Sequence, residues 1–112
     1  EALADYDRAL QLNPRYAAVN NSRGLLYVRL EAFAQAIADY QRAMVLKPDW
    51  PTPYYNAACA ASLMGDVDAA CVWLSRAITL RENYRVMAQR DPDFATIRDD
   101  SRFRALVETD AP

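Results

Sequence analysis

Residues 1–14 read EALADYDRALQLNP, and residues 35–48 read QAIADYQRAMVLKP. The two stretches agree at Ala2/Ala36, Ala4/Ala38, Asp5/Asp39, Tyr6/Tyr40, Arg8/Arg42, Ala9/Ala43, Leu12/Leu46 and Pro14/Pro48. A third, more degenerate copy lies a further 34 residues along, with Ala70, Leu74 and Leu80 at matching places. A fixed period of about 20 to 50 residues is typical of a solenoid, in which each unit buries its apolar face against its neighbours. We therefore expect an interaction scaffold.

Each repeat has the pattern of two antiparallel helices. In residues 33–46, apolar side chains such as Phe33, Ile37 and Tyr40 recur at the spacing of one helix face. Pro48 ends this helix, because proline cannot continue the backbone hydrogen-bond ladder. The sequence therefore predicts an all-α fold. The expected helices span residues 2–13, 17–30, 33–46, 52–64 and 67–80.

The composition limits the possible function classes. The chain has 112 residues, of which 53% are hydrophobic, enough for one domain with a modest core. The formal charge is −2 and both signs are interspersed, so no basic surface for nucleic acid or anionic lipid is predicted. No apolar run approaches the roughly 20 residues that cross a bilayer. We expect neither nucleic acid nor a membrane as partner, and no secretory pattern is present.

No catalytic, cofactor or metal site is predicted. The chain contains no histidine, so the commonest general base is missing, and no Ser or Cys has an evident activating partner. Cys59 and Cys71 do not make an ordinary zinc site, and we expect Cys71 to be a buried apolar side chain, with a disulfide as the weaker alternative. The acidic residues between 91 and 100 lack the spacing of a calcium loop, so helix capping and solvated charge explain them better. The chain is expected not to be an enzyme.

Small, aromatic and proline residues fall in register within one complete unit. They are Gly24, Tyr27, Ala36, Tyr40, Ala43 and Pro48. This pattern resembles the tetratricopeptide repeat. The resemblance implies a right-handed superhelical solenoid of antiparallel helix pairs over residues 1–82, with the second half of one repeat followed by two full repeats. Asn20, Arg23 and Glu82 stand where the family often has Trp, Leu and Pro.

Residues 83–112 are expected to form C-terminal capping helices. Asp91 is a natural N-cap with Pro92 at the first helical position, and a further helix is expected to open at Ser101. This ending resembles the caps of bacterial tetratricopeptide arrays, which implies a bacterial origin and a piece of a longer polypeptide. Residue 1 falls in the middle of a repeat, which agrees with that expectation.

The resemblance also implies a binding groove. In tetratricopeptide proteins the first helix of each pair lines a concave surface that receives peptide segments. The matching positions here are Asn21, Ser22, Leu25, Tyr55, Asn56, Cys59, Ser62 and Arg90. Asn56 stands where the family commonly has an Asn that bonds a ligand backbone, and Arg90 at the matching place one repeat later could take a carboxylate. The alternatives are an Asn that only solvates its helix and a surface Arg. A full carboxylate clamp is not expected, because Asn21, Leu25 and Val86 stand at its other positions.

The predicted function is non-catalytic binding of a peptide or partner protein in this groove. The alternative is a structural spacer or self-association segment of a larger multidomain bacterial protein. Under that alternative, the first helix would support a homo-oligomer through its face with Leu3, Tyr6 and Leu10. A third hypothesis is an accessory domain of a bacterial signalling or transferase enzyme. The two thiols and the missing secretory pattern favour a cytoplasmic location.

Overall fold

A computed structural model describes residues 1–108 of the chain, and helices connected by short turns make up this range. No β-strand occurs among the described residues, so the predicted all-α helical repeat fold is confirmed. The five predicted helices agree with the structure within one residue at each end. In chain order the elements are α1 Ala2–Leu12, α2 Ala17–Arg29, α3 Phe33–Leu46, α4 Pro51–Leu63, α5 Val67–Leu80, α6 Tyr84–Arg90, the 3-10 helix η1 Pro92–Ile97, and α7 Ser101–Val107.

The helices alternate between two roles. We call α2 and α4 A helices, and α1, α3 and α5 B helices; α2 packs on α3, and α4 packs on α5. Helices α3, α5 and α7 begin at Phe33, Val67 and Ser101, each 34 residues after the last. The C-terminal segment therefore keeps the repeat period, with α6 and η1 at the place of an A helix and α7 at the place of a B helix.

Small residues set the distance between paired helices. Ala36, Ala58 and Ala70 are fully buried, as the repeat pattern predicts. Gly24 packs against the ring of Tyr40 so closely that a Cβ at position 24 would lie 2.5 Å from a ring carbon. Any larger residue at Gly24 would therefore have to displace a buried aromatic ring.

A buried ion pair joins the first three helices. Arg23 in α2 donates to both carboxylate oxygens of Asp39 in α3, at 2.8 and 2.7 Å, and to Asp7 in α1 at 3.0 Å. The Asp39 side chain is fully buried and also accepts from Arg42 at 2.9 Å. The hydrogen bond to Asp39 raises the pKa of Arg23 above its ordinary value. Arg23 stands where the family often has leucine, and the buried carboxylate of Asp39 compensates its positive charge.

The C-terminal segment packs on the last repeat, and its role as the cap of the array stays a prediction. The Asp91 carboxylate accepts from the Asp93 amide, and Pro92 begins η1, so the expected N-cap of this short helix is confirmed. Helix α7 opens at Ser101, with Asp100 as its N-cap. The side chains of Phe94, Ile97, Phe103 and Val107 are buried, and Leu106 is half-buried. The last four residues of the predicted capping region, 109–112, lie outside the described residues.

Candidate functional site

Two asparagines form the centre of the surface that the A helices present. Asn21 lies in α2 and Asn56 in α4, and the Asn56 amide nitrogen donates to the Asn21 amide oxygen at 3.1 Å. Asn21 is 7% exposed, whereas Asn56 is half-buried. Neither the Asn56 oxygen nor the Asn21 nitrogen has a further partner among the described residues. One acceptor and one donor therefore remain at adjacent points, which is the complement of a peptide unit.

Ser22 and Leu25 lie on the side of α2 that faces α1. Leu25 is 45% exposed, and Ser22 is half-buried. Together with Tyr6 they line a notch of about 160 Å³ between the two helices. The structure thus brings these two predicted residues next to the first helix.

Tyr55, Cys59 and Ser62 do not line an open groove, which corrects their predicted placement. All three are buried beneath the segment that begins at Asp91. The Tyr55 hydroxyl donates to the Asp91 carboxylate at 2.7 Å, and the Ser62 hydroxyl donates to the backbone carbonyl of Asp93 at 2.7 Å. The physical reason is that α6 stops before the Asp91-Pro92 step, so η1 packs across α4.

Phe94 fixes this covering segment in place. Its ring meets the Tyr55 ring edge-on at 5.8 Å and the Phe103 ring at 5.1 Å. Thr96 adds a hydrogen bond to the Ser62 carbonyl. The C-terminal half of the A-helix surface is therefore built into the hydrophobic core, and the open half lies around Asn21 and Asn56.

Cys59 sits in an environment that keeps its thiol protonated. The sulfur donates to the Asp91 carboxylate at 3.8 Å. Burial, followed by the charges of Asp91 and Asp93, raises the pKa of Cys59 far above that of an ordinary thiol. Since the thiolate is the nucleophilic form, this site opposes nucleophilic chemistry at Cys59. Cys71 is half-buried, and both cysteines are free thiols, so the disulfide alternative is wrong.

The groups around Cys59 also carry ligand atoms of the kind that bind metals. The Cys59 sulfur and the carboxylates of Asp91 and Asp93 lie within 4.8 Å of one another. Asp91 already accepts from the Tyr55 hydroxyl, the Cys59 thiol and the Asp93 amide. Burial and the neighbouring Asp91 charge raise the pKa of Asp93. The cluster is best described as a hydrogen-bonded joint between α4 and η1.

Arg90 is exposed at the C-terminal end of α6. Its guanidinium makes no hydrogen bond or ion pair within residues 1–108. It stands one repeat after Asn56, as the sequence predicts, and its charge remains available to solvent. Whether it acts on a ligand stays a prediction.

Sequence reasoning missed the part that Asp91, Asp93 and Phe94 play on this surface. Asp93 stands 34 residues after Cys59, so the repeat period would have placed the two on corresponding points of adjacent units. The Asp91-Pro92 step was recognised as a helix start. The repeat period and this helix start were therefore signals for a contact between Asp93 and Cys59, although neither indicates that η1 covers α4.

The fold and its residues can now be set beside known proteins. The model of the tetratricopeptide repeat family matches residues 17–49 and 51–84. The chain belongs to the tetratricopeptide repeat family. These matches cover two complete A and B pairs, α2 with α3 and α4 with α5. The resemblance read from the sequence is confirmed.

Several curated tetratricopeptide proteins are similar to this chain over its repeats. The rat "E3 ubiquitin-protein ligase TTC3" is 35% identical over 69 residues, 62% of this chain and 4% of the ligase. The human "Serine/threonine-protein phosphatase 5" is 33% identical over 69 residues, 62% of this chain and 14% of the phosphatase. The Giardia intestinalis "UDP-N-acetylglucosamine--peptide N-acetylglucosaminyltransferase" is 41% identical over 65 residues, 58% of this chain and 4% of the transferase. The chain thus spans a small part of each relative, and these three relatives are eukaryotic, so the predicted bacterial origin stays a prediction.

Tetratricopeptide repeats are a non-catalytic fold that generally mediates protein–protein interaction. Within residues 1–108, no helix is both long enough and apolar enough to cross a membrane.

Proposed function

We propose that this tetratricopeptide chain binds a peptide segment of a partner protein through the open half of its A-helix surface. The observation that carries the proposal is the hydrogen-bonded pair of Asn21 and Asn56, which leaves one amide donor and one acceptor for a ligand. A rigid pair loses little conformational freedom on binding, so its hydrogen bonds add to affinity at low entropic cost. The surface is small, and we expect micromolar affinity.

The covered half of the surface restricts where a partner lies. Tyr55, Cys59 and Ser62 already have partners in the C-terminal segment, so a ligand would contact α2 and the exposed edge of α4. Asn21, Ser22, Leu25 and Asn56 are the predicted site residues that line this open half. Arg90 would add a charge contact at the far end of the ligand.

The test is a displayed peptide library selected against the wild-type chain, followed by calorimetry on the selected peptides. The Asn21→Ala/Asn56→Ala double variant should bind them about tenfold more weakly, since each lost hydrogen bond is worth about 0.5–1.5 kcal/mol. Asn83→Ala is the matched control, because Asn83 is exposed and its side chain makes no capping bond. Equal affinity of the double variant and the wild type would remove the amide pair from the site.

A spacer or self-association segment is the second candidate. Leu3, Tyr6 and Leu10, which the sequence predicts as its interface, are half-buried against α2 rather than fully uncovered. Sedimentation of the wild-type chain over a wide concentration range tests self-association, and a monomer throughout would exclude that part of the candidate. The predicted cytoplasmic location stays a prediction under either function.

A further inference from the structure

Three side chains that can ligate a metal converge where η1 crosses α4. The Cys59 sulfur and one carboxylate oxygen each of Asp91 and Asp93 lie within 4.8 Å of one another. Cys59 belongs to α4, whereas Asp91 is the N-cap of η1 and Asp93 lies within η1. The ligand atoms of a tetrahedral Zn²⁺ ion, with bonds of about 2.0–2.3 Å, stand roughly 3.3–3.8 Å apart. The three atoms are thus within a small side-chain adjustment of the spacing that a zinc ion requires.

The two carboxylates of this cluster lack a cationic partner. Neither Asp91 nor Asp93 forms an ion pair within residues 1–108, although both are half-buried. Arg98 reaches the segment, but it donates to the backbone carbonyl of Asp91 at 2.7 Å and not to the carboxylate. Tyr55 and Cys59 donate to the Asp91 carboxylate and bring no positive charge. Partly buried negative charge of this kind favours a cation beside it.

A buried hydroxyl without a partner adjoins the same cluster. Tyr40 in α3 is fully buried, and its hydroxyl makes no hydrogen bond within residues 1–108. Burial, followed by the charges of Cys59, Asp39 and Asp93, raises the pKa of Tyr40, so the hydroxyl lies within the electrostatic reach of the cluster. A buried polar group without a partner is costly, and such groups often mark a bound water or ion. The Tyr40 hydroxyl is therefore a donor that lacks an acceptor.

We propose that Cys59, Asp91 and Asp93 form a binding site for a divalent metal ion of the zinc type. A thiolate with two carboxylates suits Zn²⁺ better than Ca²⁺ or Mg²⁺, which take oxygen ligands only. On binding, the Cys59 thiol releases its proton to water and the sulfur bonds the metal. The sulfur then accepts hydrogen bonds, and it can serve as the acceptor that the Tyr40 hydroxyl lacks.

The ion and the thiol proton compete for the same sulfur. The negative charges of Asp91 and Asp93 hold the proton on Cys59, and the same charges attract a divalent cation. The hydrogen-bonded joint between α4 and η1 is the metal-free form of this site. Because Cys59 and Asp91 are 32 positions apart in the chain, a bound ion fastens η1 to α4 and stabilises the folded chain. The site is separate from the amide pair of the proposed function.

Zn²⁺ binding to the whole chain is the first measurement. Equilibrium dialysis with a non-thiol reductant should give saturable binding at micromolar concentration or below. Co²⁺ serves as the spectroscopic probe, since a bound thiolate gives a thiolate-to-cobalt charge-transfer band. Zn²⁺ should displace Co²⁺ and abolish this band, whereas Ca²⁺ and Mg²⁺ should not. Zn²⁺ should also raise the melting temperature, because the ligands come together only in the folded chain.

Matched variants separate this site from the other thiol and carboxylates of the chain. Cys59→Ser and Asp93→Asn each remove a ligand and should weaken Zn²⁺ binding at least about a hundredfold. Tyr40→Phe removes only a supporting hydroxyl and should weaken it about tenfold, within the roughly 10–100-fold typical of groups that orient a ligand. Cys71→Ser and Asp99→Asn are the controls, because Cys71 is a half-buried free thiol and Asp99 is exposed. Both should bind Zn²⁺ as the wild type does.

Three results would overturn the proposal. The first is that Zn²⁺ neither binds the wild-type chain nor raises its melting temperature. The second is that Cys59→Ser or Asp93→Asn, shown to be folded by circular dichroism, binds Zn²⁺ as tightly as the wild type. The third is that Cys71→Ser loses the cobalt band, which would assign the metal to the other thiol. The Asn21→Ala/Asn56→Ala variant should bind Zn²⁺ normally, so the metal site and the peptide site are tested separately.

Discussion

At the C-terminal end of the array, η1 and α7 bury Phe94 and Phe103 completely, and α4 and α5 are covered by them. At the N-terminal end, α1 contributes no fully buried residue and packs mainly on α2. The C-terminal unit of α6, η1 and α7 has lost most of the repeat sequence, whereas α1 is identical to α3 at seven positions. A close match to the repeat sequence therefore does not predict how extensively a helix is packed and buried.

The difference follows from how repeat arrays are stabilised. Each helix gains its stability mostly from apolar area buried against its neighbours, since the intrinsic stability of a single helix is marginal. Helix α1 has one main neighbour, while α3 lies between α2 and α4. The C-terminal segment replaces the missing repeat residues with two aromatic contacts, Tyr55–Phe94 and Phe94–Phe103. We expect local stability to fall from the middle of the array towards α1.

The largest expected effect separates the two ends directly. Phe94→Ala removes a fully buried ring and should lower the free energy of unfolding by about 3–5 kcal/mol. Tyr6→Ala, on the half-buried face of α1, should cost roughly 1–2 kcal/mol, because part of the ring already contacts water. Urea denaturation followed by circular dichroism measures both. Equal costs would mean that α1 is held as firmly as the C-terminal segment.

A second comparison uses the two carboxylates that share Arg23. Asp39→Ala removes a fully buried partner and should cost about 2 kcal/mol, because Arg23 keeps only the Asp7 contact. Asp7→Ala removes a partner that is 48% exposed and should cost less than about 1 kcal/mol. Thermal denaturation of both variants gives the ratio of their two losses of stability. A larger loss for Asp7→Ala would show that the ion pair to α1 carries most of the network's stability.

The smallest expected effect is a pH dependence at the joint between α4 and η1. Because the pKa of Asp93 is raised in the folded chain, the folded chain binds a proton at this carboxyl more tightly than the unfolded chain does. Stability from this group is therefore present below the ordinary aspartate pKa and is lost as the pH rises through the raised folded value. Asp93→Asn should remove this dependence and, since the carboxyl is half-buried, stabilise the chain at neutral pH by less than about 1 kcal/mol.

Urea midpoints of the wild type and Asp93→Asn across the acidic range provide the measurement. Plotted against pH, the urea midpoints of the two proteins should converge at low pH and separate as the pH increases. Asp91→Asn is an unsuitable control, because Asp91 also accepts from Tyr55 and caps η1. Asp99→Asn is suitable, since Asp99 is exposed, and it should follow the wild type. Parallel curves for the wild type and Asp93→Asn would show that Asp93 ionises alike in the folded and unfolded chain.

The regular part of the fold could be predicted because its signals are local. Helix periodicity, Pro48 and the Asp91 N-cap mark boundaries within a few neighbouring residues, and the 34-residue period fixes which helices pair. The family resemblance then gave the A-helix surface. The amide pair was placed on that surface, although its hydrogen bond joins positions 35 residues apart and so does not follow from the period alone.

The remainder of the site depends on long-range geometry that has no periodic signal. The placement of η1 over Tyr55 and Ser62 depends on the direction of the chain after Pro92, which no local pattern encodes. The pairing of Arg23 with Asp39 is similar, because two charged residues 16 positions apart carry no mark that they are buried together. Both features appear only once the helices are packed.

Amide hydrogen exchange of the wild-type chain, resolved for each helix by nuclear magnetic resonance, tests the difference between the two ends most directly. Exchange reports the free energy of local opening, so it measures each region separately. The amides of α3, α4 and α5 should exchange most slowly, those of η1 close behind them, and those of α1 much faster than those of α3. Protection of α1 equal to that of α3, or an η1 that exchanges as fast as α1, would contradict the account.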